Sequence, residues 1–334
     1  MESSCPLVSL CVIARNEEEF IPGLLSDIEA QGYPHERMEV VLVDSLSTDR
    51  TKEIMQAFVL GDAGFWGVKV LENERITQAA GWNVAIEGSS GEVVIRVDAH
   101  ASIPCDFVEM NVEVLSEGYS VCGGPRPTIV KDPTPWKETL HLAEESAFGS
   151  TVADYRKDAE SDKNVSSVFH GAYRRTVFDE AGLFDERLRR TEDNELHYRI
   201  RQKGYEIRYS LRIRSAQYAR HTLKGMIKQK YGNGFWIGKT LKIAPKCVST
   251  FHLVPFAFVV ALIACLAVGF AWSWVPLLAL CGLYLAVDLS ISVLAIIACR
   301  KRYAQMLALP LIFPAIHLSY GWGTLRGIFG LDGR

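Results

Sequence analysis

The chain has 334 residues, of which 49% are hydrophobic and 22% charged, and its formal net charge is -3. That length accommodates one sizeable α/β domain plus an appendage, and the near-neutral charge carries no general footprint for nucleic acid, so no nucleic-acid partner is expected. The eight cysteines stand at positions 5, 11, 105, 122, 247, 265, 281 and 299 with no Cys-x-x-Cys pair, so reduced thiols are expected rather than a disulfide framework or a zinc site.

The opening Met1-Glu2-Ser3-Ser4-Cys5-Pro6 lacks a basic region followed by a hydrophobic core and a cleavage site, so no secretory signal is expected. Leu7 to Ala14 then runs apolar into Arg15-Asn16-Glu17, and Val40-Val41-Leu42-Val43 runs into Asp44-Ser45-Leu46-Ser47-Thr48-Asp49. Such short Val/Ile/Leu runs, each followed by a polar turn and a helical pattern, predict buried parallel strands. Phe20, Leu24, Leu25 and Ile28 supply one helix face after the first strand, Ile54, Met55 and Phe58 another after the second, and a third helix is predicted over Thr77 to Glu87. The run Val93-Val94-Ile95-Arg96-Val97 ends in Asp98-Ala99-His100. Side chains at i and i+2 of an extended segment point the same way, and ligands of open parallel sheets bind beyond the carboxyl ends of the strands. Both groups can therefore face one cation, although a strand ending at a polar turn would look the same if the match stood alone. Three strand ends then converge on a crevice carrying Asn16, Glu17, Asp44, Asp98 and His100.

Arg189-Arg190-Thr191-Glu192-Asp193-Asn194-Glu195-Leu196 opens a predicted helix through Leu196 and Ile200 to a stop at Gly204. Carboxylates in a first turn are often only macrodipole partners, but here they can also hold an exposed base rigidly. Leu223 to Pro245 mixes lysines with Met226, Ile227, Tyr231, Phe235, Trp236, Ile237 and Leu241, which reads as a basic amphipathic segment in the headgroup region or as an ordinary packed surface helix. From Leu253 to Val287 there is no charged residue, and Trp272-Ser273-Trp274-Val275-Pro276 interrupts the run. We expect membrane spans over 251–271 and 275–299, and a third crossing or re-entrant segment over 306–322. Lys224, Lys228, Lys230, Lys239, Lys242 and Lys246 precede the first span and Arg300-Lys301-Arg302 follow the second, while the turn between them has none. Basic residues stay on the cytoplasmic side and suit anionic membrane lipids, so the large domain is expected in the cytoplasm. Asp288, inside the second span, is expected in the bundle interior or near the interface.

As a set, the motifs resemble family 2 glycosyltransferases of the GT-A fold, and most of all the membrane-attached, ExoA-like enzymes of bacterial exopolysaccharide assembly. The motifs are Ala14-Arg15-Asn16-Glu17-Glu18, Val43-Asp44 with Ser47-Thr48-Asp49-Arg50-Thr51, Gln78-Ala79-Ala80-Gly81-Trp82-Asn83, and Arg96-Val97-Asp98-Ala99-His100-Ala101. They continue through Phe148-Gly149, His170-Gly171-Ala172-Tyr173-Arg174-Arg175, Gly182-Leu183-Phe184-Asp185-Glu186, Glu192-Asp193-Asn194-Glu195-Leu196 and Gln229-Lys230-Tyr231-Gly232. Each motif is weak alone, and their joint order is specific.

The resemblance implies an α/β fold: a GT-A, Rossmann-like, mostly parallel catalytic domain over 1–222, a basic juxtamembrane segment over 223–250 and a helical membrane domain over 251–334. It implies an inverting hexosyltransferase at the bacterial cytoplasmic membrane, moving a sugar from a UDP-sugar to a polyprenyl-diphosphate-linked saccharide. Ala14, Arg15, Asn16, Glu17, Asp44, Asp98 and Ala99 would line the nucleotide-sugar pocket, and Asp98 with His100 would hold a divalent metal. An imidazole in place of a second carboxylate tilts that site toward manganese over magnesium. Asp193 would be the base. Arg75, Gln78 and Asn83 are expected on the donor side unless they only cap or pack their helix. His170, Gly171, Arg174, Arg175, Glu192 and Gln229 are candidates for acceptor or phosphate contact, Arg174 and Arg175 because guanidinium suits bidentate phosphate binding, with surface pairing as the alternative for one of them. The choice of sugar is expected to depend on the pocket between Gly123 and Arg175.

Besides that imidazole, two further departures matter. Asp44-Ser45 replaces the usual two adjacent aspartates, and the Gln-x-x-Arg-Trp motif of processive synthases is missing after Gln229, which argues against polymer extrusion. The alternatives are transfer to polyprenyl phosphate itself and a non-catalytic sugar-nucleotide or lipid-binding subunit. The presence of Asp98, His100 and Asp193 together weighs against a mere binder, which needs no acceptor-side base.

Overall fold

The computed structural model describes residues 5–61, 63–146, 148–149, 161–219 and 222–330. The expectation for Met1 to Ser4, and residues 147 and 150–160 of the expected sugar pocket, lie outside the described residues. In chain order the first elements are β1 (Val8–Ala14), α1 (Ile21–Glu29), β2 (Met38–Asp44), α2 (Thr51–Val59), β3 (Gly67–Glu72), α3 (Gln78–Glu87) and β4 (Val93–Asp98). Next come β5 (Ala101–Ser102), α4 (Phe107–Ser116), β6 (Val121–Gly123), β7 (Thr128–Val130), α5 (Pro135–Glu145), β8 (Lys163–Val165), β9 (Ala172–Arg174) and α6 (Thr176–Ala181). The chain continues through α7 (Glu192–Gln202), β10 (Ile207–Tyr209), β11 (Ala216–Ala219), α8 (Leu223–Ile243), α9 (Val254–Ala271), α10 (Val275–Ala298) and α11 (Leu309–Phe329).

These elements form two compact units, one of Met1–Ile129 with Ala153–Tyr218 and one of Val130–Val152 with Ala219–Arg334. In the first, the main sheet has the order β3-β2-β1-β4-β9-β6-β10-β8, with β5-β11-β7 as a small second sheet. The runs β1, β2 and β4 are nearly all buried because both faces of the sheet carry apolar cover. Leu24, Leu25 and Ile28 of α1 pack on one face with Leu10 and Val12, while Trp82, Ala85 and Ile86 of α3 pack on the other with Cys11 and Val41. The register aligns the strand ends: Ala14 stands level with Asp44 and Ile13 level with Asp98, so three parallel strands end flush. The fold is thus the expected mixed α/β, mostly parallel sheet, with β8 and β9 antiparallel to their neighbours.

Among the described residues of the second unit, three helices are long and apolar enough to cross a membrane: Thr250–Ala271, Val275–Ala298 and Ala304–Phe329. The last was expected over 306–322 as a crossing or a re-entrant segment. Its helix α11 runs 21 residues straight through Pro314, about 30 Å of helix, enough for a crossing. Asp288 is fully buried, and Ser292 Oγ donates to its Oδ1 at 3.3 Å.

Packing in this unit adds two features that the sequence did not show. The stretch Val130–Val152 groups with the C-terminal helices and not with the large domain, because Leu140 and Ala143 of α5 join Met226, Met306, Leu309 and Phe313 in one core. The basic segment forms α8 and packs closely on α11. Gly234 and Gly238 of α8 and Gly323 and Gly327 of α11 bring the two backbones so close that a Cβ on Gly234 would run into the Tyr320 carbonyl, and one on Gly327 into that of Phe235. Small residues four apart on both partners are the usual means of such close helix approach.

Candidate functional site

The flush ends of β1, β2 and β4 open onto a cleft whose rim is conformationally unusual. Asn16, Leu46 and Ile76 come after β1, β2 and β3, and all three have positive φ, as does Thr191 at the start of α7. Non-glycine residues in this region are costly and persist only where the surroundings hold them. Asn16 Oδ1 accepts from the Thr48 N–H at 2.8 Å, and Asn16 N–H donates to Ser47 Oγ at 3.0 Å. The Glu17 N–H donates to Thr51 Oγ1 at 2.7 Å, so the loop after β1 is stitched to the loop after β2. Asp44 is almost fully buried and accepts from the Ser47 N–H. Asn16 and Asp44 therefore shape the pocket wall, with Ala14 buried and Arg15 exposed beside them.

Asp98 ends β4 and His100 lies in the turn that follows, so the two come together through that turn and not through the alternation of an extended strand. Gln217 of β11 reaches between them: its Nε2 lies 3.4 Å from Asp98 Oδ2 and 2.6 Å from His100 Nε2. One nitrogen atom touches both groups, so the two side chains line the same part of the cleft. Glu17 Oε1 faces His100 Nδ1 at 3.5 Å from the other side, and the buried Ala99 forms the turn. Among the described residues no group of three or more His, Cys, Asp or Glu could hold a metal ion. Two protein donors completed by diphosphate oxygens and water are, however, enough for the hard divalent ions. The donor set fits such an ion.

Just before β9, His170 is buried, with Nδ1 at 2.9 Å from Ser215 Oγ. Burial first, then the charges of Arg126, His100 and Arg96, hold its pKa well below the usual imidazole range, so it is neutral. Gly171, also buried, accepts the Arg96 N–H through its carbonyl at 3.0 Å.

Helix α7 brings the acidic cluster in and sorts it. Glu195 is bound by Arg199 at 2.7 Å, and Arg199 also donates to the carbonyls of Ala181 and Leu183, so Glu195 anchors the helix. Glu192 is buried, and desolvation followed by the Asp193 charge pushes its carboxyl up to about 8. Asp193 keeps partial exposure. Desolvation raises its carboxyl pKa, the Arg96 charge opposes that rise, and the Asp98 charge reinforces it.

Other predicted residues lie elsewhere. Arg174 and Arg175 do not reach the cleft, which corrects the phosphate-contact expectation. Strand β9 is antiparallel to β4 and pairs Arg174 with Val93, so the chain after His170 runs away from the carboxyl end of β4. Arg174 donates to the carbonyls of Leu115 and Tyr119, and Arg175 to those of Gly91 and Ile86. Asn83 takes the packing role. It donates to the Phe184 carbonyl at 3.0 Å and to Glu186 at 2.9 Å, and accepts from the Phe184 N–H at 2.9 Å. Arg75 pairs with the same Glu186 at 2.6 Å, and Gln78 opens α3 behind its Thr77 cap. Gln229 is exposed on α8 in the second unit.

Sequence reasoning missed Gln217 and the surroundings of Arg96. Nothing in the sequence around Gln217 marks it. An arginine inside a buried parallel strand was itself a signal, since such a charge needs partners.

The profile described as Glycosyl transferase family 2 matches residues 9–182. A dolichyl N-acetyl-alpha-D-glucosaminyl phosphate 3-beta-D-2,3-diacetamido-2,3-dideoxy-beta-D-glucuronosyltransferase of Methanococcus voltae is 23% identical, covering 96% of this chain and 97% of that protein. The succinoglycan biosynthesis protein ExoA of Rhizobium meliloti is 26% identical, covering 98% and 96%. Among solved structures, the mannosyltransferase PcManGT from Pyrobaculum calidifontis in complex with GDP-Man and Mn2+ superposes with a TM-score of 0.64 at 18% identity, covering 99% of this chain and 89% of that one.

Proposed function

This chain belongs to glycosyltransferase family 2, and from that membership we propose that it is a membrane-anchored, inverting transferase moving a sugar from a nucleoside-diphosphate donor, UDP by preference, to a polyprenyl-diphosphate-linked saccharide. The observation that carries the reading is Asp98 and His100 side by side at the end of β4, both touched by Gln217, together with a partly exposed Asp193 that opens α7. A glycosyl transfer that displaces a diphosphate needs those two functions on opposite sides of the anomeric carbon. The full-length relative from Methanococcus voltae, whose name carries a dolichyl-linked sugar phosphate, supports a lipid-linked acceptor.

In this reading the loops after β1 and β2, locked by Asn16, Asp44, Ser47 and Thr48, hold the base and ribose, with Glu17 at their inner edge. Asp98 and His100 would hold a divalent ion, manganese by preference, which when bound neutralises charge on the leaving diphosphate. Gln217 lies against both groups and would yield or rotate its amide as the donor enters. Asp193 takes the proton of the acceptor hydroxyl as that oxygen attacks the anomeric carbon from the face opposite the diphosphate. The new glycosidic bond forms as the sugar–phosphate bond breaks, and the bonding pair leaves with the nucleoside diphosphate, so one displacement inverts configuration. Glu192, protonated near neutral pH, is a hydrogen-bond donor in this scheme and not a second base.

The test is transfer of label from a panel of UDP-sugars into a polyprenyl-diphosphate-linked acceptor, with the anomeric configuration of the product read by NMR. Absence of both transfer and slow donor hydrolysis across nucleotide-sugars would overturn the reading. The metal assignment has its own test. His100→Ala should weaken manganese-dependent UDP binding measured by calorimetry, and His100→Asp should restore part of it with a shift toward magnesium, because oxygen replaces nitrogen. Unchanged metal dependence in both would mean that His100 only shapes the turn.

We further propose that the first unit lies on the cytoplasmic side, from the lysines before α9 and Arg300-Lys301-Arg302 after α10. Reporter fusions should place Lys246 and Arg300 in the cytoplasm and the Trp272 turn outside. A cytoplasmic Trp272 would reverse the assignment.

A further inference from the structure

Helix α11 is long enough to cross a bilayer, yet its neighbours place both of its ends on one side. Helices α9 and α10 are joined by a short turn at 272–274 and pack as a hairpin, with the Phe258 and Tyr284 rings stacked at 4.5 Å between centroids. The start of α9 and the end of α10 therefore share a side. At the start of α11, Leu309 and Ile312 share a core with Ala295, Ile296 and Cys299 at the end of α10. Past its finish, a Cβ on Gly330 would stand 3.9 Å from Lys242 Nζ in the last turn of α8, the helix that leads into α9 through two short 3-10 turns. Between those points α11 meets the entry of α9: a Cβ on Gly321 would run into the Pro255 carbonyl and Val259, and the Tyr320 hydroxyl lies 3.3 Å from His252 Nδ1. A crossing helix would instead carry its finish to the far half of the hairpin. There Ile263, Leu266 and Phe270 of α9 are exposed, and Gly269 faces Trp274 of the same hairpin.

Helix α8 constrains α11 independently. The two run parallel, since Gly234 meets Tyr320 while Gly238, one turn further on, meets Thr324. Parallel helices in backbone contact share a depth, so α11 crosses only if α8 does. The longest stretch of α8 without a lysine is Tyr231 to Gly238, about 12 Å of helix against about 30 Å of hydrocarbon. Lysines held at that depth are costly, and α8 has them on both sides of the stretch. The large apolar side chains that α11 leaves exposed are Leu311, Leu318, Trp322 and Phe329. Their spacings of seven, four and seven residues put them in one stripe along the helix.

We propose that the segment Ala304–Phe329 does not cross the membrane: α11 lies beside α8 in the headgroup layer on the side of Lys246 and Arg300, and its stripe of Leu311, Leu318, Trp322 and Phe329 is a docking surface for the acyl chains of that leaflet. An in-plane helix of this kind sinks its apolar face about 5–10 Å into the boundary between headgroups and acyl chains. The lysines of α8 then stay among headgroups, and only α9 and α10 of the described residues cross. This placement holds whichever side of the membrane Lys246 and Arg300 occupy.

The test begins with reporters fused after Arg334 of the full chain: a fluorescent protein that matures only in the cytoplasm and an alkaline phosphatase active only outside it. Arg334 should report the same side as the fusions at Lys246 and Arg300, and the opposite side overturns the inference. All three positions outside would reverse the cytoplasmic assignment and leave the inference standing, so the two failures are distinct. The second measurement is the depth of a nitroxide placed singly at Leu311, Leu318, Trp322 and Phe329 in phosphatidylglycerol–phosphatidylcholine nanodiscs, attached through an introduced keto side chain that leaves the native cysteines in place. All four should lie at one shallow depth, about 5–10 Å below the phosphates. Depths that pass through the bilayer centre and spread over about 27 Å, the rise of a crossing helix from Leu311 to Phe329, overturn the inference.

Discussion

Asp193→Asn is expected to lower sugar transfer by about 100- to 10,000-fold, the usual cost of losing a general base, while leaving UDP-sugar affinity nearly intact. Asparagine keeps the size and one acceptor oxygen but takes no proton. The structure narrows the field of rivals. Glu195 is committed to Arg199, and Glu192 is buried with its carboxyl pushed up to about 8, so it holds its proton at neutral pH. Glu192→Gln should therefore keep a larger share of activity than Asp193→Asn in the same assay. Full turnover in Asp193→Asn with loss in Glu192→Gln would transfer the role to Glu192. Loss of donor binding in both would make the cluster structural.

Gly234→Leu is the second large effect, and it falls on the fold. Its side chain would have to occupy the space of the Tyr320 carbonyl and Thr324 hydroxyl on α11. Backbone cannot move aside as a flexible side chain can, so the helices must separate. Overpacking costs about 1 to 3 kcal/mol even where neighbours adjust, and here the whole α8–α11 seam opens. The thermal midpoint in detergent should fall sharply, with Gly327→Leu behaving alike. Gly282→Leu on α10, where a Cβ would meet nothing within 4 Å, is the control and should leave the midpoint unchanged. Equal tolerance of all three would show that α8 and α11 are not held by this seam.

Much of the first unit was readable because its strands are short uninterrupted apolar runs, and such runs form a parallel sheet only when covered on both faces. Asp98 could be placed from the end of its apolar run and α7 from its acidic first turn and Gly204, whereas His100 meets Asp98 through the turn after β4 and not through a strand's two-residue repeat. Arg174 and Arg175 show the limit of motif reading. Composition suggested phosphate binding, but an antiparallel β9 carries them to the amino end of β4, and strand direction is set by which neighbours pair. Asn83 likewise looked equally suited to a ligand or to packing its helix, and only the fold places Phe184 beside it.

The sequence by itself therefore determined the class of fold, the family, the strand-end carboxylate and imidazole, and three apolar helices. Each depends on local periodicity or on contiguous residues. Only the tertiary structure decided that Val130–Val152 packs with the C-terminal helices, that glycines far apart in the chain let α8 and α11 touch, and that Gln217 stands between Asp98 and His100. It also decided that Trp82 and Phe184 close over Arg96 and that Tyr173 reaches His197 on the helix of Asp193. Those contacts join positions distant in sequence, and their energies depend on packing and burial that exist only once the sheet and helices have come together.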